Sequence, residues 1–328
     1  VNAFLYTVLT TGWGASFFFT VIALRAFTPL QVVTLRMALA ALVLTSVLAL
    51  RRSRTSPGRP VMPRRQEAVH LLVLGSFNIA LPFLLLTAAQ RHVPSSLTVV
   101  LSATTPVFVF LLATLLRTEQ FSAVRLLGVA LSFTGVTVLA GLPGGGSPAS
   151  WQWPLVVVLS SALYAAGNVY TRRHLSALDP LVIAWGQITA GACYLLPALL
   201  VAADPWPSSP ELLPLPAVLE LGVFASAFCY LLFFHFILSW GSTATSFNTY
   251  LQPIVGIALG VLVLNEPITT GQGLALTLIL IGLTTFAAAT LKPRPLPRYA
   301  ESPPPTTPAD PTRTRRPPPK AKPSRDRR

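Results

Sequence analysis

The sequence predicts an all-α membrane protein of ten transmembrane helices, arranged as two inverted five-helix repeats. Three observations predict it: a shortage of charge, a series of apolar runs of bilayer length, and a pattern written twice. Hydrophobic residues make up 52% of the chain and charged residues 10%, with mean hydropathy +0.63. A soluble domain carries about 25% charge. The charges present are also clustered: 292–328 holds 14 of the 34 and 51–67 holds 7. Too few remain to cover a soluble surface, so the lipid bilayer is the expected solvent.

A spanning helix needs about 20 mostly apolar residues. Runs of that kind fall at 3–24, 31–50, 69–90, 95–116, 122–141, 153–172, 180–202, 216–239, 243–264 and 271–291. Period-2 alternation is missing, which argues against a β-barrel. The first run lacks a basic leader and further spans follow it, so it is expected to stay as a membrane helix rather than be cleaved as a signal peptide. With the N-terminus placed in the cytoplasm, the inside loops hold ten Arg and the outside loops only Arg25 and Arg91. The positive-inside rule then puts both termini in the cytoplasm. The excess of 21 Arg over 3 Lys fits a GC-rich bacterial genome, and with it the cytoplasmic (inner) membrane.

The duplication is visible as a register shift. Adding 147 carries Ser95 to Ser242, Pro106 to Pro253, Glu119 to Glu266 and Gly135 to Gly282. Nearer the N-terminus, adding 151 carries Trp13 to Tyr164, Pro29 to Pro180 and Arg36 to Gln187. Each unit has five spans, an odd number, so the second must lie upside down relative to the first. Inverted repeats are a mark of secondary transporters, which hold cargo near the midplane between the copies. The predicted units are 1–148 and 149–292, followed by a Pro/Arg-rich cytoplasmic tail, 293–328, expected to be disordered.

The stretches "TGWGASFF" (11–18), "TPLQVVTLRMALAAL" (28–42) and 80–139 resemble the EamA-type repeat of the drug/metabolite transporter superfamily. "LYAAGNVYTRR" (163–173) through "LNEPITTGQGLALTLILIGL" (264–283) resembles it a second time. The resemblance implies ten helices, a central cavity and transport of small metabolites, often export. Amino-acid-like or drug-like cargo is expected, because the inferred lining mixes aromatic rings with amides.

Polar and aromatic side chains deep in a span should face the bundle interior, since lipid offers them no partner. Trp13, Asn78, Tyr164, Asn168, Asn248 and Gln252 are the candidate cargo contacts, with interhelical hydrogen bonding the competing role for each. Asn248 and Gln252 are four apart and share a helix face with Thr245. Arg36 is either an interfacial anchor that snorkels outward or a guanidinium that binds a cargo carboxylate. Pro106 and Pro253 each remove a helix hydrogen bond and free the carbonyls of Ser102 and Thr249, which makes them candidate gating kinks. His235 is the candidate proton carrier, since the middle of every span lacks Asp and Glu; passive facilitated diffusion stays open beside coupled transport.

Glu119 and Glu266 are expected to accept backbone N–H groups at the start of the next helix. The glycines of "GIALG" (256–260) allow close helix packing, within the chain or between the copies of a homodimer. Metal-ligand spacing, a phosphate-cradling loop and a nucleophilic triad are not found, so no metal or cofactor is expected. The basic residues lie in loops and tail rather than on a folded face, so no nucleic-acid partner is expected either. The expected partners are a small-molecule solute and the lipid bilayer. A membrane protein that recruits partners through its tail, without transporting, is the rival reading; an integral-membrane enzyme would want clustered carboxylates or histidines, which the sequence does not supply.

Overall fold

Every regular element in the computed structural model is helical, over the described residues 2–54, 63–116, 122–141, 151–203, 205–206, 214–240, 242–266 and 270–291. Glu119 and the tail 293–328 lie outside them. Ten rods follow one another: α1 (Asn2–Ala23), α2 (Pro29–Arg54), α3 (Arg65–Ala89), α4 (Ser95–Ser102 and Thr105–Leu115), α5 (Ala123–Gly141), α6 (Gln152–His174), α7 (Pro180–Ala202), α8 (Pro214–Leu219 through Cys229–Trp240), α9 (Ser242–Leu262) and α10 (Thr270–Leu291). Among the described residues, seven of these, α1 to α4 and α6 to α8, are long and apolar enough to cross a membrane. Counted over the described residues alone, the apolar stretches within α5, α9 and α10 are Ala123–Ser132, Leu251–Leu262 and Thr277–Phe286. In α9 the limit is chemical: its first half carries Thr245, Asn248, Thr249 and Gln252.

Local chemistry sets the helix starts. Proline opens α2 and α7, where its missing N–H costs nothing and its fixed φ suits the first turn. Asp179 caps α7 by accepting the Leu181 N–H at 2.9 Å, and its carboxylate also meets Arg51 at 2.9 Å.

Most of the closely packed helix pairs follow a rule. The pairs α2–α7, α5–α10 and α4–α9 pack together, as do α1–α9 and α6–α4, α2–α8 and α7–α3, and α1–α8 and α6–α3. Exchanging each helix with the one five places along returns the same set. Two features recur at matching places. Gly75 of α3 presses on Ala190 and Gly191 of α7, and Gly222 of α8 presses on Leu39 and the Arg36 carbonyl of α2. Each of these glycines also lies in a π-helical stretch, Gly75–Ala80 in α3 and Glu220–Phe228 in α8. Positions 75 and 222 differ by the same 147 residues seen in the sequence. Lipid is as apolar as a leucine side chain, so association inside a membrane relies on such close backbone packing.

The "GIALG" glycines are used within the chain. A side chain at Gly256 would strike Val99 of α4, and one at Gly260 would strike Ser95 and Glu266.

Glu266 departs from expectation in its partner. It caps α4, not the following α10. One carboxylate oxygen accepts the Ser95 N–H at 2.7 Å and hydroxyl at 2.8 Å, and the other accepts the Ser96 N–H at 3.0 Å. These N–H groups open a helix and have no intrahelical acceptor, so a carboxylate arriving from the other half of the chain satisfies them. Burial alone would raise the Glu266 pKa, but the hydrogen bonds from Ser96 and Ser95 outweigh it and hold the group below the ordinary 4.5. A lowered carboxylate pKa stabilises the fold above the unfolded value and loses that contribution as pH falls through the folded value. Glu266→Ala is therefore expected to cost about 1–2 kcal/mol at pH 7. Thermal unfolding in detergent should show the gap between wild type and variant closing as pH drops below 4.5; a gap independent of pH would contradict the cap.

Candidate functional site

A cavity of about 1040 Å3, its solvent-open mouth included, lies among α1, α2, α3, α4, α6, α8 and α9. Both halves of the chain wall it. One side is aromatic: the Trp13 ring lies 4.8 Å from Phe233 and 5.3 Å from Tyr230, and Phe83 meets Tyr164 edge-on at 5.5 Å. The Trp13 indole N–H donates to the Ala225 carbonyl at 2.8 Å, inside the π-helical stretch of α8. A π-turn disturbs the regular i→i−4 ladder, and here the carbonyl it presents holds a cavity side chain in place.

Two polar pairs link the halves: Arg36 corresponds to Gln187 by 151, and Ser226 falls one residue past the counterpart of Asn78. In one, Asn78 on the π-stretch of α3 donates to Gln187 of α7 at 2.7 Å. In the other, Arg36 of α2 donates through Nε to the Ser226 hydroxyl, on the π-stretch of α8, at 2.6 Å. Arg36 is 4% exposed, its guanidinium carbon 4.4 Å above the Phe83 ring. Interfacial snorkelling is thus not what it does; it faces the cavity. Among the described residues, Asn78 Oδ1 and Gln187 Nε2 are buried with no hydrogen-bond partner.

The third wall surrounds the two prolines. Ser102 and Thr105 of α4 and Thr249 and Gln252 of α9 all line the cavity, and each α4 position maps onto its α9 counterpart by 147. The carbonyl of Ser102 that Pro106 leaves free accepts the Thr105 hydroxyl at 2.8 Å and the Ser161 hydroxyl at 3.5 Å. The prolines differ in effect. Helix α4 is interrupted at Ala103 and Thr104, just before Pro106, whereas Pro253 sits inside the unbroken α9.

Of the residues singled out from the sequence, Trp13, Arg36, Asn78, Tyr164, Asn168 and Gln252 line the cavity. Asn248 does not: it is 0% exposed, on the part of α9 whose Thr245 carbonyl accepts the Tyr6 hydroxyl at 3.3 Å. Neither of its amide atoms has a hydrogen-bond partner among the described residues. His235 is exposed and away from the cavity. The reason is helical phase. Tyr230, Phe233 and Ile237 present the cavity face of α8, and at about 100° per residue position 235 points well off that stripe. Sequence reasoning missed Gln90, which donates to the Phe17 carbonyl at 3.0 Å, and the small hydroxyls Ser16, Thr20, Thr87, Ser102, Thr105 and Thr249. The 147 shift, applied to Gln252 and to the turn before it, points to Thr105, Ser102 and Thr249.

A helical membrane bundle of two matching halves around a mostly apolar chamber with a minority of polar groups is the architecture of a multi-pass membrane transporter. Residues 3–141 and 151–287 each match the model of the EamA-like transporter family, and the chain belongs to that family. It is 24% identical to the uncharacterized inner membrane transporter YedA of Escherichia coli (strain K12), over 83% of this chain and 85% of the relative. It is 26% identical to a protein of Chlamydia trachomatis named as an S-adenosylmethionine/S-adenosylhomocysteine transporter, over 86% of this chain and 85% of the relative. A solved crystal structure shares the fold at a TM-score of 0.63, with 16% identity, covering 89% of this chain and 99% of that one.

Proposed function

We propose that the protein moves small organic solutes across the bacterial inner membrane by alternating access. In this reading ten spans form two repeats, 1–148 and 149–292, inverted with respect to each other, with both termini in the cytoplasm. Cargo binds in the central cavity, one repeat rocks against the other, and Pro106 and Pro253 mark where α4 and α9 flex. The observation that carries the reading is the cavity itself. Both halves line it, and positions 102 and 105 face it together with their counterparts 249 and 252. Aromatic rings, amides and hydroxyls suit amino-acid-like or drug-like solutes, and family membership favours export.

Among the described lining residues there is no carboxylate. That favours, as a second reading, a passive facilitator of the same solutes. Purified protein in liposomes, screened against a metabolite panel with and without a pH gradient, tests both. Saturable flux that grows with the gradient supports coupling, and flux indifferent to it supports the facilitator. Flux no greater than that of empty liposomes across the panel would sink both. Accessibility labelling at positions 119 and 266 tests the inversion, which requires opposite sides.

A further inference from the structure

We infer that Arg36 is the docking point for one negative charge on the cargo, and that the preferred solute is an organic monocarboxylate with an apolar or aromatic body. The inference rests on the transporter reading and deepens it by naming the chemical class the cavity takes.

Arg36 is the single charged residue among the described lining residues. Its guanidinium keeps its proton in proteins, so the chamber carries a fixed positive charge away from water. A buried unpaired ion costs several kcal/mol, and the protein compensates it only in part. Nε is satisfied by Ser226, and the guanidinium lies over Phe83 in cation–π geometry. The two Nη groups have no hydrogen-bond partner among the described residues. Glu220 acts on Arg36 at range, yet among the described residues the one salt bridge within 4.0 Å is Arg51–Asp179. Glu220 is not a lining residue, and its Oε2 is buried without a partner among the described residues.

With Nε anchored, the remaining edge of the guanidinium is a planar two-pronged donor, the shape that takes a carboxylate bidentately. One cation matches one negative charge. A phosphate dianion would leave one negative charge that no lining cation meets, and the ammonium of a zwitterion would find only aromatic faces and uncharged oxygens rather than a lining carboxylate. The position matching Arg36 in the second half is the neutral Gln187, already bonded to Asn78. The cavity is therefore polarised, with its cationic end at Arg36 and Phe83 and the aromatic body site at Trp13, Tyr230 and Phe233.

The test uses the full chain in detergent, with intrinsic tryptophan fluorescence and thermal stabilisation as binding readouts. The probes are 3-phenylpropionate, its amide, L-phenylalanine and phenyl phosphate. The expected result is that 3-phenylpropionate binds about 10- to 100-fold tighter than its amide, and tighter than L-phenylalanine or phenyl phosphate. Arg36→Gln should bring carboxylate and amide to equal affinity, while Arg36→Lys retains part of the preference. If Arg36→Gln does not fold, the wild-type ranking of the four probes decides alone. Equal binding of carboxylate and amide, a ranking led by L-phenylalanine or the phosphate, or no binding of any probe would overturn the inference. Carboxylate-selective binding without liposome flux would leave the anion site standing and sink the transporter reading. Flux of neutral solutes without carboxylate preference would do the reverse.

Discussion

Trp13→Ala is expected to lower solute flux at least about tenfold and to destabilise the fold by about 3–5 kcal/mol, the range for emptying a large aromatic site. Three interactions vanish together: the ring packing on Tyr230 and on Phe233, and the indole hydrogen bond to Ala225. The side chain also forms part of the cavity wall, so its loss widens the chamber where the cargo body sits. Trp13→Phe separates the contributions. It keeps an aromatic ring while removing the N–H with part of the indole, leaving the Ala225 carbonyl without that donor. A smaller loss of stability with a clear loss of flux would assign the hydrogen bond a positioning role. Liposome flux and thermal unfolding measured on both variants make the check, and wild-type flux in Trp13→Ala would remove Trp13 from the cargo site.

Gly282→Leu is expected to split the α5–α10 pair. A Cβ at Gly282 would stand 2.5 Å from the Ser132 backbone nitrogen and 2.6 Å from the Gly128 carbonyl oxygen. A Cβ at Gly128 would likewise meet the Gly282 carbonyl at 2.7 Å and the Phe286 nitrogen at 2.8 Å. These neighbours are backbone, which cannot swing aside, so the helices must separate along their shared face. Overpacking of this kind costs about 3 kcal/mol, a fall in Tm of roughly 5–10 °C for a chain of this size. Gly273→Ala on the same helix is the control. A Cβ there meets open space, and Tm should stay within roughly 1–2 °C of wild type. Equal shifts in the two variants would contradict close packing at Gly282.

The parts legible in the sequence were those written as composition or as repetition. Apolar runs of bilayer length located the helices, and the 147 shift tied Pro106 to Pro253 before any packing was known. Polar burial located Trp13, Asn78, Tyr164, Asn168 and Gln252, because lipid forces such groups inward. The π-helical stretches at Gly75–Ala80 and Glu220–Phe228 were not legible, since a span apolar on nearly every side carries no clear stripe in which a phase shift could be read. The burial of Arg36 was left open for a related reason. Snorkelling and inward pairing look the same in one dimension, and Ser226 lies 190 residues away. His235 falls off the cavity face of α8 by phase, because depth within a span says nothing about which way a side chain turns; Asn248 shares the face of Gln252 but is fully buried and does not line the cavity.

The unequal state of the two proline-bearing helices has a further consequence. Helix α4 is interrupted ahead of Pro106 while α9 runs straight through Pro253, although the two segments correspond residue for residue. Under the proposed inversion, trading their shapes generates a second conformer: α9 broken before its proline, α4 continuous, and the chamber mouth turned to the opposite leaflet. Half of the transport cycle is then drawn in one repeat, and its reverse can be sketched by copying each repeat's bend onto the other.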